Sequence, residues 1–155
     1  MYKNYNLNQF EKHGIHLSFV QDNHSKSCKG VLRGLHYQIK KAQGKLVRVI
    51  DGEIYDVAVD LRKSSQFFGK WVGELLSSEN KRQLWVPAGF AHGFLTISNS
   101  AQVLYKTTDY YEPSYERSIK WDDPDINIQW PLEIEPIVSS KDIMGKLLSE
   151  SEVFI

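Results

Sequence analysis

Short runs of alternating or β-branched residues, each ended by a turn signal, recur along this chain. That rhythm points to a sandwich or barrel of strands rather than a βαβ fold. Residues 15–22 alternate Leu17, Phe19 and Gln21 with Ser18, Val20 and Asp22. Residues 31–38, 45–50, 53–61, 71–76, 83–86, 93–97 and 102–107 read as further strands. Asp51-Gly52, between two of these runs, is a two-residue hairpin signal. Residues 23–29, 39–43 and 136–140 read as loops, residues 78–82 as a polar turn, and Pro87-Ala88-Gly89 as a breaker. Residues 119–121 form a last short strand before the turn-rich Asp122-Asp123-Pro124-Asp125. Helix signals are confined to the two ends. Asn8 caps a first helix over residues 7–14, with Glu11 at the capping-box position and Gly14 as its stop. A second, short helix starts at Ser140-Lys141-Asp142 and takes in Ile143, Leu147 and Leu148. No repeat or linker divides the chain, so residues 1–155 read as a single domain.

Composition narrows the function. Nineteen basic residues balance nineteen acidic ones. This argues against a nucleic-acid binder that relies on a broad basic surface and leaves room for one local cationic pocket. No apolar run is long enough to span a bilayer, and the first residues lack the apolar segment of a signal peptide. The single cysteine, Cys28, has no intramolecular partner and reads as a buried free thiol. Together these features point to a cytoplasmic protein with no membrane partner.

The chemistry-bearing residues cluster around glycines. Gly30-Val31-Leu32-Arg33-Gly34-Leu35-His36-Tyr37-Gln38 holds an arginine and a histidine three residues apart. Strand alternation sends them to opposite faces, and they converge only if Gly34 bulges the strand. Beside a fixed cation, a neutral imidazole suits abstraction of a carbon-bound proton. His92 lies in a similar apolar, glycine-flanked setting, Gly89-Phe90-Ala91-His92-Gly93-Phe94. Neither histidine has a second one two positions on, so a metal site is not expected; His13, His16 and His24 read as solvated. Lys45, after Gln43-Gly44, is placed to meet an oxyanion. Tyr105, in Val103-Leu104-Tyr105-Lys106-Thr107, is a usable proton donor. Asp142 is either a helix cap or the carboxylate that orients a histidine. Gln21-Asp22-Asn23 offers amides for a base edge or a sugar hydroxyl. Taken singly, each of these also reads as an ordinary core or surface residue.

Taken in order, the segments resemble the dTDP-4-dehydrorhamnose 3,5-epimerase family. The stretches that carry the resemblance are Phe19-Val20-Gln21-Asp22-Asn23-His24-Ser25, Val31-Leu32-Arg33-Gly34-Leu35-His36-Tyr37-Gln38 and Gln43-Gly44-Lys45-Leu46-Val47-Arg48. Asp56-Val57-Ala58-Val59-Asp60-Leu61-Arg62, Trp85-Val86-Pro87, Gly89-Phe90-Ala91-His92-Gly93-Phe94 and Leu104-Tyr105-Lys106 continue it. Tyr110-Tyr111, Trp121-Asp122-Asp123-Pro124 and Ser140-Lys141-Asp142 complete it. The resemblance implies a cupin-type jelly roll, a homodimer, and activity without metal or organic cofactor. It implies a dTDP-4-keto-6-deoxyhexose substrate in deoxysugar and surface-polysaccharide synthesis. By motif, His36 matches the catalytic base, Asp142 its partner, Tyr105 the proton donor, and Lys45 and Arg33 the residues holding the enolate and sugar oxygens. Gln21, Asn23, His92, Glu116 and Lys141 match positions lining the substrate site.

These residue types suit the implied reaction. A C4 ketone acidifies the hydrogens on C3 and C5; removing one gives an enolate, and returning a proton to the opposite face inverts the carbon. The resemblance also implies an opening segment with a D-x-R-G-x-F-x-E-like pattern, whose arginine contacts substrate phosphate across the dimer. Here the chain opens Tyr2-Lys3-Asn4-Tyr5-Asn6, with Lys3 at the glutamate position. A short start of this kind reads either as a truncated or misassigned start or as altered specificity, such as inversion at one carbon only. A catalytically silent nucleotide-sugar-binding homologue and a metal-dependent cupin oxygenase are the competing classes. Retention of His36, Tyr105, Asp142 and Lys45 favours the epimerase over the silent homologue.

Overall fold

The computed structural model describes Met1 and residues 3–155; Tyr2, part of the opening segment read above, lies outside the described residues. Among the described residues, ten strands form two sheets. The first sheet has the order β1 (Gln21–Cys28), β8 (Ser100–Thr107), β3 (Lys45–Asp51), β6 (Gln83–Val86), all antiparallel neighbours. The second runs β10 (Ile137–Val138), β2 (Val31–Gln38), β7 (Phe90–Thr96), β4 (Glu53–Asp60), β5 (Trp71–Ser77). Strand β9 (Glu116–Ser118) shares the outer edge of β2 with β10. Two short helices, α1 (Leu7–Lys12) and α2 (Ser140–Ile143), lie towards the ends of the chain. This is the all-β, cupin-like jelly roll that the resemblance implies.

Strand periodicity builds the core between the sheets. Val47, Val49, Ala101 and Val103 from the first sheet meet Ile54, Leu76 and Phe94 from the second. Strand β4 is buried on both faces. Its other side sends Val57 and Val59 against Leu35, Tyr37, Ala91, Ile119 and Ile126, where the C-terminal segment wraps the second sheet. Each fully buried aliphatic side chain of this kind stabilises the fold by about 1.5–3 kcal/mol. At one end of the space between the sheets polar and charged side chains join the apolar ones, and the cavity lies there.

The pairing of β2 with β7 determines what enters that cavity. Arg33 pairs with Phe94 and His36 with His92, so three steps on β2 match two on β7. The extra residue is a bulge, as the Arg33–His36 spacing requires if both are to face one way. Gly34 has φ +122, and a Cβ there would lie 2.6 Å from Gly93 Cα and 2.8 Å from the His92 carbonyl oxygen. A Cβ on Gly93 would lie 2.7 Å from the Arg33 carbonyl oxygen, so both glycines are needed for this close crossing.

Several sequence expectations are corrected. Residues 23–29, read as a loop, belong mostly to β1, which pairs with β8 along its whole length. As an edge strand with one face to solvent and the other towards the polar cavity, β1 carries no apolar alternation to betray it. Residues 15–20, read as a strand, have no regular structure. Asp51-Gly52 does not close a hairpin: β3 and β4 belong to different sheets, and Gly52, at φ +77, turns the chain from one to the other. Helix α1 is capped by Asn6, whose side chain accepts from the Gln9 amide, rather than by Asn8. Helix α2 stops at Ile143, which is exposed, so Leu147 and Leu148 are outside it. Two residues of the late loop form β10, and Ile119 makes a single bridge to Lys146 rather than a strand. Cys28 is exposed, because its side chain leaves the outer face of an edge strand.

Candidate active site

A cavity of about 470 Å³ opens between the sheets, lined by residues from both. The second sheet contributes Arg33 and His36 from β2 and His92 from β7; the first contributes Ser25, Lys45 and Tyr105 from β1, β3 and β8. Helix α2 closes one side with Lys141 and Asp142. Residues separated by up to 117 positions therefore share one space, because the Gly34 bulge turns Arg33 inward beside His36 while β8 presents Tyr105 from the facing sheet.

His36 Nε2 is hydrogen-bonded to Asp142 Oδ1. A carboxylate only accepts, so Nε2 carries the proton and Nδ1 keeps its lone pair. Asp142 is buried, held by the one-turn helix that Ser139 caps. Burial pushes its carboxyl up, but the hydrogen bond from His36, with the Ser139 side chain and the Gly34 amide, outweighs burial and holds it below its ordinary value. The carboxylate thus stays ionised beside the ring it orients. Arg33 Nε donates to Ser27 Oγ at 3.1 Å, which fixes the guanidinium along the cavity wall.

Burial pushes the Lys45 ammonium down to about 8; Glu116 and Asp56 oppose that fall, and Lys141 adds to it. Burial pushes the Tyr105 phenol up, Arg33 pulls it back and Glu116 raises it again, leaving it above its ordinary value and therefore protonated at neutral pH. Glu116 accepts from Lys141 Nζ at 2.5 Å and from the Tyr111 hydroxyl at 2.7 Å. Burial raises the Glu116 carboxyl, but Lys141, Tyr111 and His36 together lower it below its ordinary value. The bond to Glu116, followed by burial, raises Tyr111 to about 12.

Of the ten residues singled out in the sequence, His36, Tyr105, Asp142, Lys45, Arg33, His92 and Lys141 line this cavity. Glu116 is joined to it through Lys141. Gln21 and Asn23 are not in the lining. They lie farther along the inward side of β1, where Gln21 Nε2 donates to Asn23 Oδ1 at 2.9 Å and Gln21 Oε1 accepts from the Tyr111 amide at 3.2 Å. Sequence reading missed three contributors. Ser25 lines the cavity with a buried hydroxyl that has no hydrogen-bond partner among the described residues. Ser139 caps the helix that carries Asp142. Asp56 holds His92 through a 2.7 Å bond from Nε2 to Oδ1. The signal for Asp56 was in the sequence: a carboxylate between Ile54 and Ala58 on the buried face of a strand. Among the described residues, no group of three or more His, Cys, Asp and Glu is placed to hold a metal ion.

The arrangement pairs an oriented imidazole base with a protonated phenol from the opposite sheet, and sets cations beside both. Such a site can remove and return a carbon-bound proton while holding the charge that develops on a neighbouring oxygen. Known proteins resemble this chain in sequence and in fold. Residues 1–150 match the family model described as dTDP-4-dehydrorhamnose 3,5-epimerase. The dTDP-4-dehydrorhamnose 3,5-epimerase of Pseudomonas aeruginosa is 58% identical over 154 residues, covering 99% of this chain and 85% of that protein. Among solved structures, the dTDP-6-deoxy-D-glucose-3,5-epimerase of Legionella pneumophila, in complex with dTDP-4-keto-L-rhamnose, superposes with a TM-score of 0.96 at 52% identity. The match covers 98% of this chain and 81% of that one. A 3'-monoepimerase from Streptomyces bikiniensis, in complex with dTDP-quinovose, follows at TM-score 0.88 and 31% identity, covering 95% and 75%. On the matched sequence and the shared fold, the chain belongs to the dTDP-4-dehydrorhamnose 3,5-epimerase family of isomerases.

Proposed function

We propose that the protein inverts C3 and C5 of a dTDP-4-keto-6-deoxyhexose, with His36 as base and Tyr105 as acid. The observation that carries this reading is the convergence of the Asp142-oriented His36 and the protonated Tyr105 on one cavity from opposite sheets. His36 Nδ1 takes the proton from the carbon next to the ketone, and the electron pair of that C–H bond moves into an enolate whose charge rests on the C4 oxygen. Lys45 and Arg33 hold that oxygen and its neighbours. Tyr105 then donates its proton to the opposite face of the carbon, which inverts it; the phenolate regains a proton from solvent as His36 releases the one it took. Repeating the cycle at the second carbon completes the double inversion. No electrons are gained or lost overall, so the cycle needs no redox partner.

Glu116 and Lys141, with the Gln21–Asn23 pair farther along β1, form the substrate-binding margin in this reading. A homodimer and a cytoplasmic location accompany it, supported by the family resemblance and by the single unpaired cysteine. Inversion at one carbon is the second reading, favoured by the likeness to the Streptomyces 3'-monoepimerase.

Proton NMR of the dTDP-4-keto-6-deoxyglucose substrate in heavy water tests both readings. Deuterium entering C3 and C5 is the expected result. Entry at one carbon alone identifies a monoepimerase, and no entry with folded protein refutes the epimerase reading.

A further inference from the structure

Helix α2 carries the carboxylate that orients the base, yet its own side chains do little to hold it in place. It is a single turn, and Asp142 is its one buried residue; Ser140, Lys141 and Ile143 are exposed, as is Met144 after it. One turn of helix has no stability of its own. The Lys141–Glu116 ion pair ties a half-exposed lysine to β9 and is a weak tether by comparison with packing. The bond from His36 to Asp142 nevertheless demands close placement of both groups.

That placement comes from the backbone on either side of the helix. Before it, β10 runs parallel to β2 at Val31 and Leu32, and the Ile137 amide donates to the Gly30 carbonyl at 2.8 Å. After it, Lys146 makes a parallel bridge to Ile119. The Lys146 amide donates to the Ser118 carbonyl at 3.0 Å, and the Lys120 amide donates to the Lys146 carbonyl at 2.9 Å. Ile119 in turn exchanges both backbone bonds with Leu35, at 3.0 and 3.1 Å. Leu35 lies in the bulge of β2, next to His36. The chain that carries Asp142 is therefore attached to β2 twice, directly ahead of the bulge and through Ile119 within it.

Gly145 permits the second attachment. A Cβ at this position would lie 2.8 Å from the Lys120 amide nitrogen and 2.9 Å from the Ile119 carbonyl carbon, both main-chain atoms that cannot rotate away. Something must then shift. Ile119 is fully buried and doubly bonded to Leu35, whereas α2 lies largely in solvent, so the α2 side gives way.

We propose that Gly145 is a positioning residue for the epimerase reaction: its bare backbone lets the chain after α2 close onto Ile119, and this attachment, with that of β10, holds Asp142 in register with His36. The inference rests on the epimerase reading above. A side chain at position 145 acts on the chemical step through Asp142, while any change in substrate affinity comes from Lys141 on the same turn.

Gly145→Ala, Asp142→Asn and the double variant test this at saturating substrate, alongside proton NMR of the substrate-free protein. In wild type the His36 Nε2 proton is expected as a downfield resonance, because a carboxylate accepts it. In folded Gly145→Ala that resonance is expected to move upfield or vanish by exchange with solvent, and kcat to fall about tenfold to a hundredfold. In the Asp142→Asn background the same substitution is expected to change kcat by about threefold or less, because the bond that it disturbs is already gone. Equal losses of kcat in the two backgrounds, or an unmoved ring-proton resonance, show a structural role only and overturn the proposal. If Gly145→Ala does not fold, Ile137→Pro decides: it deletes the amide bonded to Gly30 at an exposed edge position. The ring-proton resonance is expected to shift there too, with kcat lowered, and an unmoved resonance with unchanged kcat overturns the two-sided attachment. Wild-type protein that neither exchanges nor epimerises refutes the underlying activity instead, and the resonance, read without substrate, separates the two failures.

Discussion

His36 and Asp142 stand 106 positions apart and meet through a hydrogen bond, and much of the chemistry follows from which ring nitrogen that bond occupies. With Nε2 protonated and pointed at a carboxylate, Nδ1 is basic and oriented. Asparagine at position 142 keeps the shape but can donate to Nε2, which moves the ring proton to Nδ1 and blocks the base. Asp142→Asn is expected to lower kcat by about a hundredfold to ten-thousandfold with little change in KM, measured by steady-state epimerisation coupled to product detection. A variant that loses KM rather than kcat would place Asp142 in binding instead. The candidates at this scale were legible in the ordered motifs that carry the family resemblance, since each residue taken singly also reads as an ordinary core or surface residue. The pairing of His92 with Asp56 was not, because it joins two strands that neighbour each other only in the folded sheet.

At the scale of elements, the bulge in β2 is the device that gives the site its shape. Strand alternation would send Arg33 and His36 to opposite faces, and one extra residue at Gly34–Leu35 brings them to the same cavity. Gly34→Ala places a methyl 2.6 Å from the Gly93 backbone at a positive φ, so β2 and β7 must separate. This change is expected to destabilise the fold by about 2–4 kcal/mol and to depress activity further than the loss of folded protein accounts for. Denaturant unfolding alongside activity per folded molecule checks both parts. The need for a bulge was readable from the spacing of two functional residues around a glycine. Strand β1 was not readable, since its polar sequence serves solvent on one face and a polar cavity on the other. The Asp51-Gly52 signal was misread for a related reason: a tight turn within a sheet and a corner between sheets call for the same residues, and only the pairing of β3 with β8 and β6 separates them.

At the scale of the whole molecule, the proposed reaction draws on both sheets. In that proposal the second sheet carries the base and the first the acid, so closing one sheet on the other assembles the site. Neutral overall charge is compatible with this design, since Arg33, Lys45 and Lys141 supply positive charge locally in the cavity. The central claim is that proton removal and proton return belong to different sheets, and Tyr105→Phe tests it most directly. In heavy water this variant keeps His36 and lacks the acid, so substrate recovered from the reaction is expected to carry deuterium at C3 or C5 without inversion, whereas His36→Asn yields neither exchange nor product. Full inversion by Tyr105→Phe, or exchange that survives loss of His36, would contradict the account.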